Sequence, residues 1–244
     1  MNPILLASEI TIPQPLVYLI PSFLEDGAIQ TIPAYIVEAV RSCCVIFAEN
    51  ERTARRFLKS ICPEIVIDDY EWFSIHKTEQ EQVQHFRQKI KEGKRIAIIS
   101  EAGCPGVADP GQVLVAAAQE MNVLVRPLVG PSSLLLALMA SGMNGQQFEF
   151  VGYLPVDSAE RNKAIIALES SSVKNRSTKI FIETPYRNNP LLEALLKNCR
   201  PQTKLCLAVH LTGPEEFIRT RTIEEWKKQT IDLHKKPALF LLQA

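Results

Sequence analysis

Two α/β domains are the architecture this sequence predicts, and three observations predict it. Short β-branched apolar runs alternate with stretches of helical period nearly throughout. Strands such as RIAIIS and CVIFAE are apolar without interruption, as strands of a parallel sheet covered on both faces must be. The alternation breaks once, at Asn144–Gln147, and FEFVGYLP then restarts it. A chain of 244 residues, 46% hydrophobic and 22% charged, can bury one large core or two modest ones, so the break sets domains of 1–145 and 146–244.

In order along the first domain, LVYLIP (16–21) reads as a strand, and IPAYIVEAVRSC as a helix with Ile32, Ile36, Val37 and Val40 on one face. CVIFAE (44–49) is the second strand, followed by a helix over 51–61, the weakly patterned EIVIDDYEWFSIH, and a helix over 80–91 that stops at Gly93. RIAIIS, a Gly/Pro loop and the helix QVLVAAAQEM come next. VLVRPLVGPSS then turns at Gly130-Pro131 into the helix LLLALMASG. In the second domain a polar helix (159–169) and a loop, SSSVKNRST, precede the strand KIFIET. A helix (190–198), the strand KLCLAVHL, a short helix (222–228) and the strand ALFLLQ complete it.

Composition excludes several classes. With 27 basic and 27 acidic residues the net charge is zero, which gives no global attraction to nucleic acid but leaves room for a local patch. The first residues show neither a basic leader nor a cleavage site, and the apolar stretch 134–140 is too short for a membrane span, so the expected compartment is the cytoplasm with no membrane partner. The six cysteines (Cys43, Cys44, Cys62, Cys104, Cys199, Cys206) form no CxxC pair and have no histidine at ligand spacing. They read as free, mostly core thiols, with no metal site. The four histidines, His76, His85, His210 and His234, are scattered, and each reads as a surface or hydrogen-bonded structural residue.

The segment SEAGCPGVADPG, Ser100 to Gly111, is the first candidate site. It leaves the carboxyl end of a buried strand and enters a helix, the place where open α/β sheets bind ligands, and Gly103, Gly106 and Gly111 allow backbone to approach a small molecule. A tight βα turn would use the same residues. No GxGxxG, GxxxxGK[ST] or GxSxG occurs, so dinucleotide, P-loop and serine-hydrolase chemistry are not indicated.

SEAGCPGVADPG resembles the SDAGTPxxSDPG signature of the tetrapyrrole methylase superfamily, and in particular of its ribosomal RNA small subunit methyltransferase I group. Further blocks follow in the same order: LVYLIP is similar to LYVVPTP, AENERTARRFL to AEDTRHTRKLL, VGPSS to PGPSA, FVGYLP to FxGFLP, IETPYR to ETPHR, and HLTGPEE to ELTKxxEE. The resemblance implies a two-domain fold distinct from the common methyltransferase fold, S-adenosylmethionine as cofactor in a cleft between the domains, and a homodimer. It places cofactor contacts at Pro21, Ser100, Glu101, Ala102, Gly103, Cys104, Val107, Ser132 and Ser133 in the first domain. In the second it places them at Thr184, Leu211, Thr212, Pro237 and Ala238, where Leu211 and Ala238 read equally well as strand core. The chain departs from the pattern at Glu101 and Cys104, where the signature has Asp and Thr, at Ala54 for His, and at Gly213 for Lys.

Methylation of a ribose hydroxyl calls for a carboxylate to take up its proton, and Glu101 and Asp109 are the candidates. Asp109 also suits capping of the helix that begins near Gln112. Arg52, Arg55, Arg56 and Lys59 share one helix face, which can contact RNA phosphates or simply be solvated opposite Phe57, Leu58 and Ile61. The resemblance implies 2′-O-methylation of small-subunit ribosomal RNA, with that RNA or the small ribosomal subunit as partner. A corrin or porphyrin acceptor, which needs a roomy apolar cleft, and a cofactor-binding protein without catalysis are the two alternatives.

Overall fold

Runs of β-branched residues become the central strands, and their alternation in side-chain direction builds a layer on each face. The computed structural model describes residues 14–75, 79–108 and 111–244. These fall into two units, one formed by the chain up to Phe23 with Ile29–Gly130, the other by Leu24–Ala28 with Pro131–Ala244.

The first unit holds strands β1 (Leu16–Ile20), β2 (Val45–Ala48), β3 (Glu71–Ser74), β4 (Arg95–Ile99) and β5 (Leu124–Pro127) in the order β3-β2-β4-β1-β5. Every pairing is parallel. Helices α1 (Tyr35–Arg41) and α2 (Glu51–Ile61) cover one face, where Ile36, Val40 and Leu58 pack on Ile20, Ile46, Ala97 and Ile99. Helices α3 (Glu79–Lys91) and α4 (Gln112–Glu120) cover the other, where Phe86, Leu114 and Ala118 pack on Val17, Phe47, Ile96 and Ile98. Asn50 caps α2 by accepting from Arg52 N and Thr53 N at 3.0 and 3.3 Å. The weakly patterned stretch after α2 yields β3, an edge strand whose side chains are half-buried or exposed, which is why its periodicity is faint.

The second unit holds α5 (Ser133–Ser141), β6 (Phe148–Tyr153), α6 (Ser158–Asn175), β7 (Thr178–Ile182), α7 (Asn188–Asn198), β8 (Lys204–Val209), β9 (Phe217–Thr222), α8 (Ile223–Trp226) and β10 (Ala238–Gln243). The strand order is β6-β7-β10-β8-β9, parallel between β6 and β7 and antiparallel elsewhere. On one face α5 lays Ala137 and Leu138 against Ile180, Ala208 and Leu241, while α6, α7 and α8 enclose Phe181, Leu207 and Phe240 on the other. The break in pattern near residue 144 is the turn from α5 into β6, where Asn144 Oδ1 accepts from Gln146 N and Gln147 N.

Two expectations are corrected here. Helix α6 does not give way to a loop at SSSVKN but runs on to Asn175. Ser170 Oγ donates within the helix to Ile166 O, Ser172 Oγ donates to Ser177 O just beyond its end, and left-handed Arg176 (φ 49°) ends it. Strand β9 escaped the sequence reading because FIRTRT sits at the sheet edge with half-exposed residues on both sides. The cysteines are free, and four of them, Cys43, Cys62, Cys199 and Cys206, are buried. Burial pushes the Cys43 and Cys199 thiols up to about 12, far from the reactive thiolate.

Phe240 is fully buried and stacks on Phe181 at 5.8 Å. Phe240→Ala therefore lowers the unfolding free energy by about 3–5 kcal/mol in urea titrations. A Cβ at Gly130 would lie 2.2 Å from Pro21 Cβ, so Gly130→Ala forces the two segments apart. Its expected cost is about 1–3 kcal/mol, read from the same titrations.

Candidate functional site

Strands β1 and β4 are neighbours, yet the chain leaves them toward opposite faces of the sheet. From β1 it runs to α1, and from β4 to α4 on the other side. Such a reversal opens a crevice beyond the carboxyl ends of the two strands, where ligands of open α/β sheets bind. Pro21 and Ser22 follow β1 at this point, and Ser100 to Ala108 follow β4.

Hydrogen bonds tie the two exits together. Ser22 N donates to Gly103 O at 2.9 Å and Ser22 Oγ to Ser100 O at 3.0 Å, while Ser100 Oγ donates to Gly103 O at 3.3 Å. Gly103 and Gly106 take φ of 72° and 79°, and a Cβ on Gly106 would meet nothing within 4 Å. Ser100, Gly103 and Pro21 are buried, Cys104 is half-buried with Sγ 3.8 Å from Gly130 O, and Glu101, Ala102 and Val107 are exposed. The loop from Ser100 is thus a backbone-lined shelf rather than a plain tight turn.

Glu101 is held from two sides. Its amide donates to Glu49 Oε2 at 2.9 Å, and its Oε1 accepts from Thr53 Oγ1 at 3.2 Å. This leaves an exposed carboxylate in a fixed place at the crevice. Asp109 lies outside the described residues. The N-cap position of α4 is Gly111, left-handed at φ 115°, rather than a side-chain cap. His76 also lies outside the described residues.

The second unit gathers its candidates at one end of its three central strands. Antiparallel pairing puts the end of β7, the end of β8 and the start of β10 side by side, so Thr184, Leu211, Thr212, Pro237 and Ala238 meet there. His210 N donates to Pro237 O at 3.0 Å. Leu211 and Ala238 are buried in the two core layers, so the main chain is what they offer a ligand. Thr212 is left-handed (φ 71°), donates its amide to Glu216 Oε2 at 2.7 Å, and keeps a buried Oγ1 without a partner. Ser132 and Ser133, read from the sequence with the first domain, belong to the second unit, at the first turn of α5. Ser132 makes no side-chain cap there, which leaves that turn's amides without one.

Several residues were not singled out from the sequence. Glu49 and Thr53 lie inside the AENERTAR block, where the arginines drew the reading, and Ser22 carries no motif at all. Glu183 Oε1 accepts from Thr184 N, Arg187 Nη2 and Arg187 Nε at 2.6, 2.7 and 3.0 Å, fixing the loop that follows β7. Gly213, where the resembling pattern has Lys, faces Glu25: a Cβ there would come within 2.8 Å of Glu25 Cγ, and Glu25 Oε2 lies 3.3 Å from His210 Nδ1. The basic face of α2 is partly engaged within the protein. Arg55 pairs with Glu51 and lies over the Trp72 ring, and Lys59 Nζ donates to Pro63 O, while Arg52 and Arg56 stay exposed. Among the described residues no group of three His, Cys, Asp or Glu side chains could hold a metal ion, and no helix is long and apolar enough to cross a membrane.

Comparison with known proteins bears on the family and the fold. The sequence profile of the family described as Tetrapyrrole (Corrin/Porphyrin) Methylases matches residues 27–227. A relative from Micromonospora olivasterospora, ribosomal RNA small subunit methyltransferase I, is 37% identical over 211 residues. That match takes in 85% of this chain and 63% of the relative's own length. Among solved structures, the methyltransferase CobJ superposes with a TM-score of 0.61 at 18% identity, over 94% of this chain and 93% of its own. Uroporphyrin-III C-methyltransferase from Thermus thermophilus, in complex with S-adenosylhomocysteine, gives 0.52 at 18% identity, over 93% and 96%. The two-sheet α/β architecture, the ordered sequence blocks and a profile match over most of the chain agree: this protein belongs to the tetrapyrrole methylase family.

Proposed function

We propose that this chain transfers a methyl group from S-adenosylmethionine to a ribose 2′-hydroxyl of small-subunit ribosomal RNA. The crevice between the ends of β1 and β4 carries the donor part of this reading. It is lined by main chain, opened by Gly106, and has no phosphate-binding glycine motif. Pro21, Ser100, Glu101, Ala102, Gly103, Cys104 and Val107 are the proposed donor contacts in the first unit. Ser132, Ser133, Thr184, Leu211, Thr212, Pro237 and Ala238 are those in the second. The buried, unpartnered Thr212 Oγ1 suits such a role, since an unsatisfied polar atom costs about 1–3 kcal/mol.

The bound donor supplies an electrophilic methyl group on a positively charged sulfur. The work left to the chain is mainly positioning, because an in-line displacement gains most from holding the two reactants in line. Glu101 Oε1, kept in place by Thr53 Oγ1 and by the amide tie to Glu49, accepts the proton that the ribose hydroxyl releases. Asp109 stands as the second candidate for that proton.

The RNA acceptor follows the name borne by the Micromonospora relative, and the cytoplasm is the compartment proposed with it. A homodimer is part of the proposal. Leu135 and Met139, one turn apart on α5, are 52% and 78% exposed, an apolar stripe that a second copy would cover.

S-adenosylmethionine is expected to bind with measurable heat in titration calorimetry and ATP is not; no heat with the former overturns the donor assignment. Labelled methyl groups should enter under-methylated small ribosomal subunits and not a tetrapyrrole intermediate, and the reverse pattern favours the ring acceptor. Glu101→Gln should slow transfer about 10²–10⁴-fold, well beyond any change in donor affinity, whereas full activity removes Glu101 as the base. Leu135→Glu with Met139→Glu should convert a dimer to a monomer in light scattering.

A further inference from the structure

The loop leaving β7 and the turn entering β10 carry an exposed cluster that donor binding leaves unused. Tyr186 is 68% exposed, although a ring of that size contributes to stability only when buried. The His234 ring stands edge-on to it at 6.0 Å, and Lys235 Nζ lies 5.9 Å from its centroid.

The cluster is held firmly by its backbone. Lys235 N donates to Pro185 O at 3.0 Å, Asn188 Nδ2 to Lys236 O at 2.7 Å, and Leu233 N to Asn189 Oδ1 at 2.8 Å. Two segments some 50 residues apart are thereby fastened into one surface, with Lys235 held left-handed at φ 59°. Neither Lys235 nor Lys236 is in an ion pair among the described residues. Asp232, in the same turn, points its Oδ1 at Asn189 Nδ2 and at His234 N.

An exposed aromatic ring on a backbone-tied loop, beside ammonium groups of which Lys235 lies over the ring and Lys236 has Asp232 as its electrostatic neighbour, matches single-stranded nucleic acid. A base stacks on the ring face, and backbone phosphates meet the cations. We infer that Tyr186, His234, Lys235 and Lys236 form a docking platform for a single-stranded segment of the acceptor RNA, with a base on Tyr186 and phosphates at the two lysines. This rests on the RNA reading given above. Thr184 and Pro237, both proposed donor contacts, are chain neighbours of the platform. The chain's zero net charge is compatible with such a local footprint.

The test is fluorescence anisotropy with a labelled single-stranded RNA dodecamer at several salt concentrations. Tyr186→Ala should weaken binding about tenfold and Tyr186→Trp should retain it, in keeping with one lost stack. Lys235→Gln with Lys236→Gln should weaken binding and flatten the slope of log K against log salt by about 1.4, the value for two phosphates on a single strand. Lys228→Gln, on an exposed lysine paired with Glu224 beyond α8, serves as the control and should change neither. Calorimetry with S-adenosylmethionine should give wild-type affinity in all four variants. RNA binding by the wild type that the Tyr186 and lysine variants leave intact overturns the platform while the RNA reading stands. No RNA binding by the wild type overturns both. Loss of binding to a carboxylated tetrapyrrole in Tyr186→Ala, with RNA affinity unmoved, also overturns the platform as an RNA site.

Discussion

The opposed exits of two adjacent parallel strands are the constraint on which the first unit turns. Val17 and Leu19 of β1 pack on the α3/α4 face while Tyr18 and Ile20 pack on the α1/α2 face, and β4 alternates likewise. Both faces need a helical cover, so the chain must leave β1 to one side and β4 to the other. The crevice is the geometric residue of that requirement, and Ser22 fixes its width by bonding to both Gly103 and Ser100. With the shelf fixed, Thr53 and Glu49 at the ends of neighbouring elements place Glu101 above it.

The second unit reaches a comparable result by antiparallel pairing. Strand β10 lies between β7 and β8, so the loops that close its start and their ends meet at one end of the sheet. Three non-glycine residues there, His210, Thr212 and Lys235, are left-handed at φ 47°, 71° and 59°. Each such residue costs about 1–2 kcal/mol, more where the side chain is β-branched as in Thr212. Strain of this kind persists where neighbouring bonds over-determine it, here His210 N to Pro237 O and Lys235 N to Pro185 O. Its concentration at the end that gathers Thr184, Thr212 and Pro237 agrees with a binding role for that end.

Much of this was legible in the residues. Continuous apolar runs such as RIAII specify buried parallel strands. The loop from Ser100 was legible as a glycine-rich strand-to-helix connection because three glycines stand between β4 and α4. What stayed hidden has physical reasons. Edge strands β3 and β9 bury too little to show a clean alternation. Serines in α6 read as loop because their hydrogen bonds to Ile166 O and Ser177 O leave no trace in composition. Contacts between distant positions, Glu49 with Glu101 or Glu25 with His210, exist only once the sheets have brought them together, and no local pattern announces them.

The claim at the centre is that the β1/β4 crevice holds the methyl donor. Hydrogen–deuterium exchange of the full chain with and without saturating S-adenosylhomocysteine tests it most directly. The account predicts slowed exchange at Ser22 and across the amides of 100–107, with the outer strand β3 unchanged. Saturable binding that leaves those amides exchanging as in the free protein would contradict it.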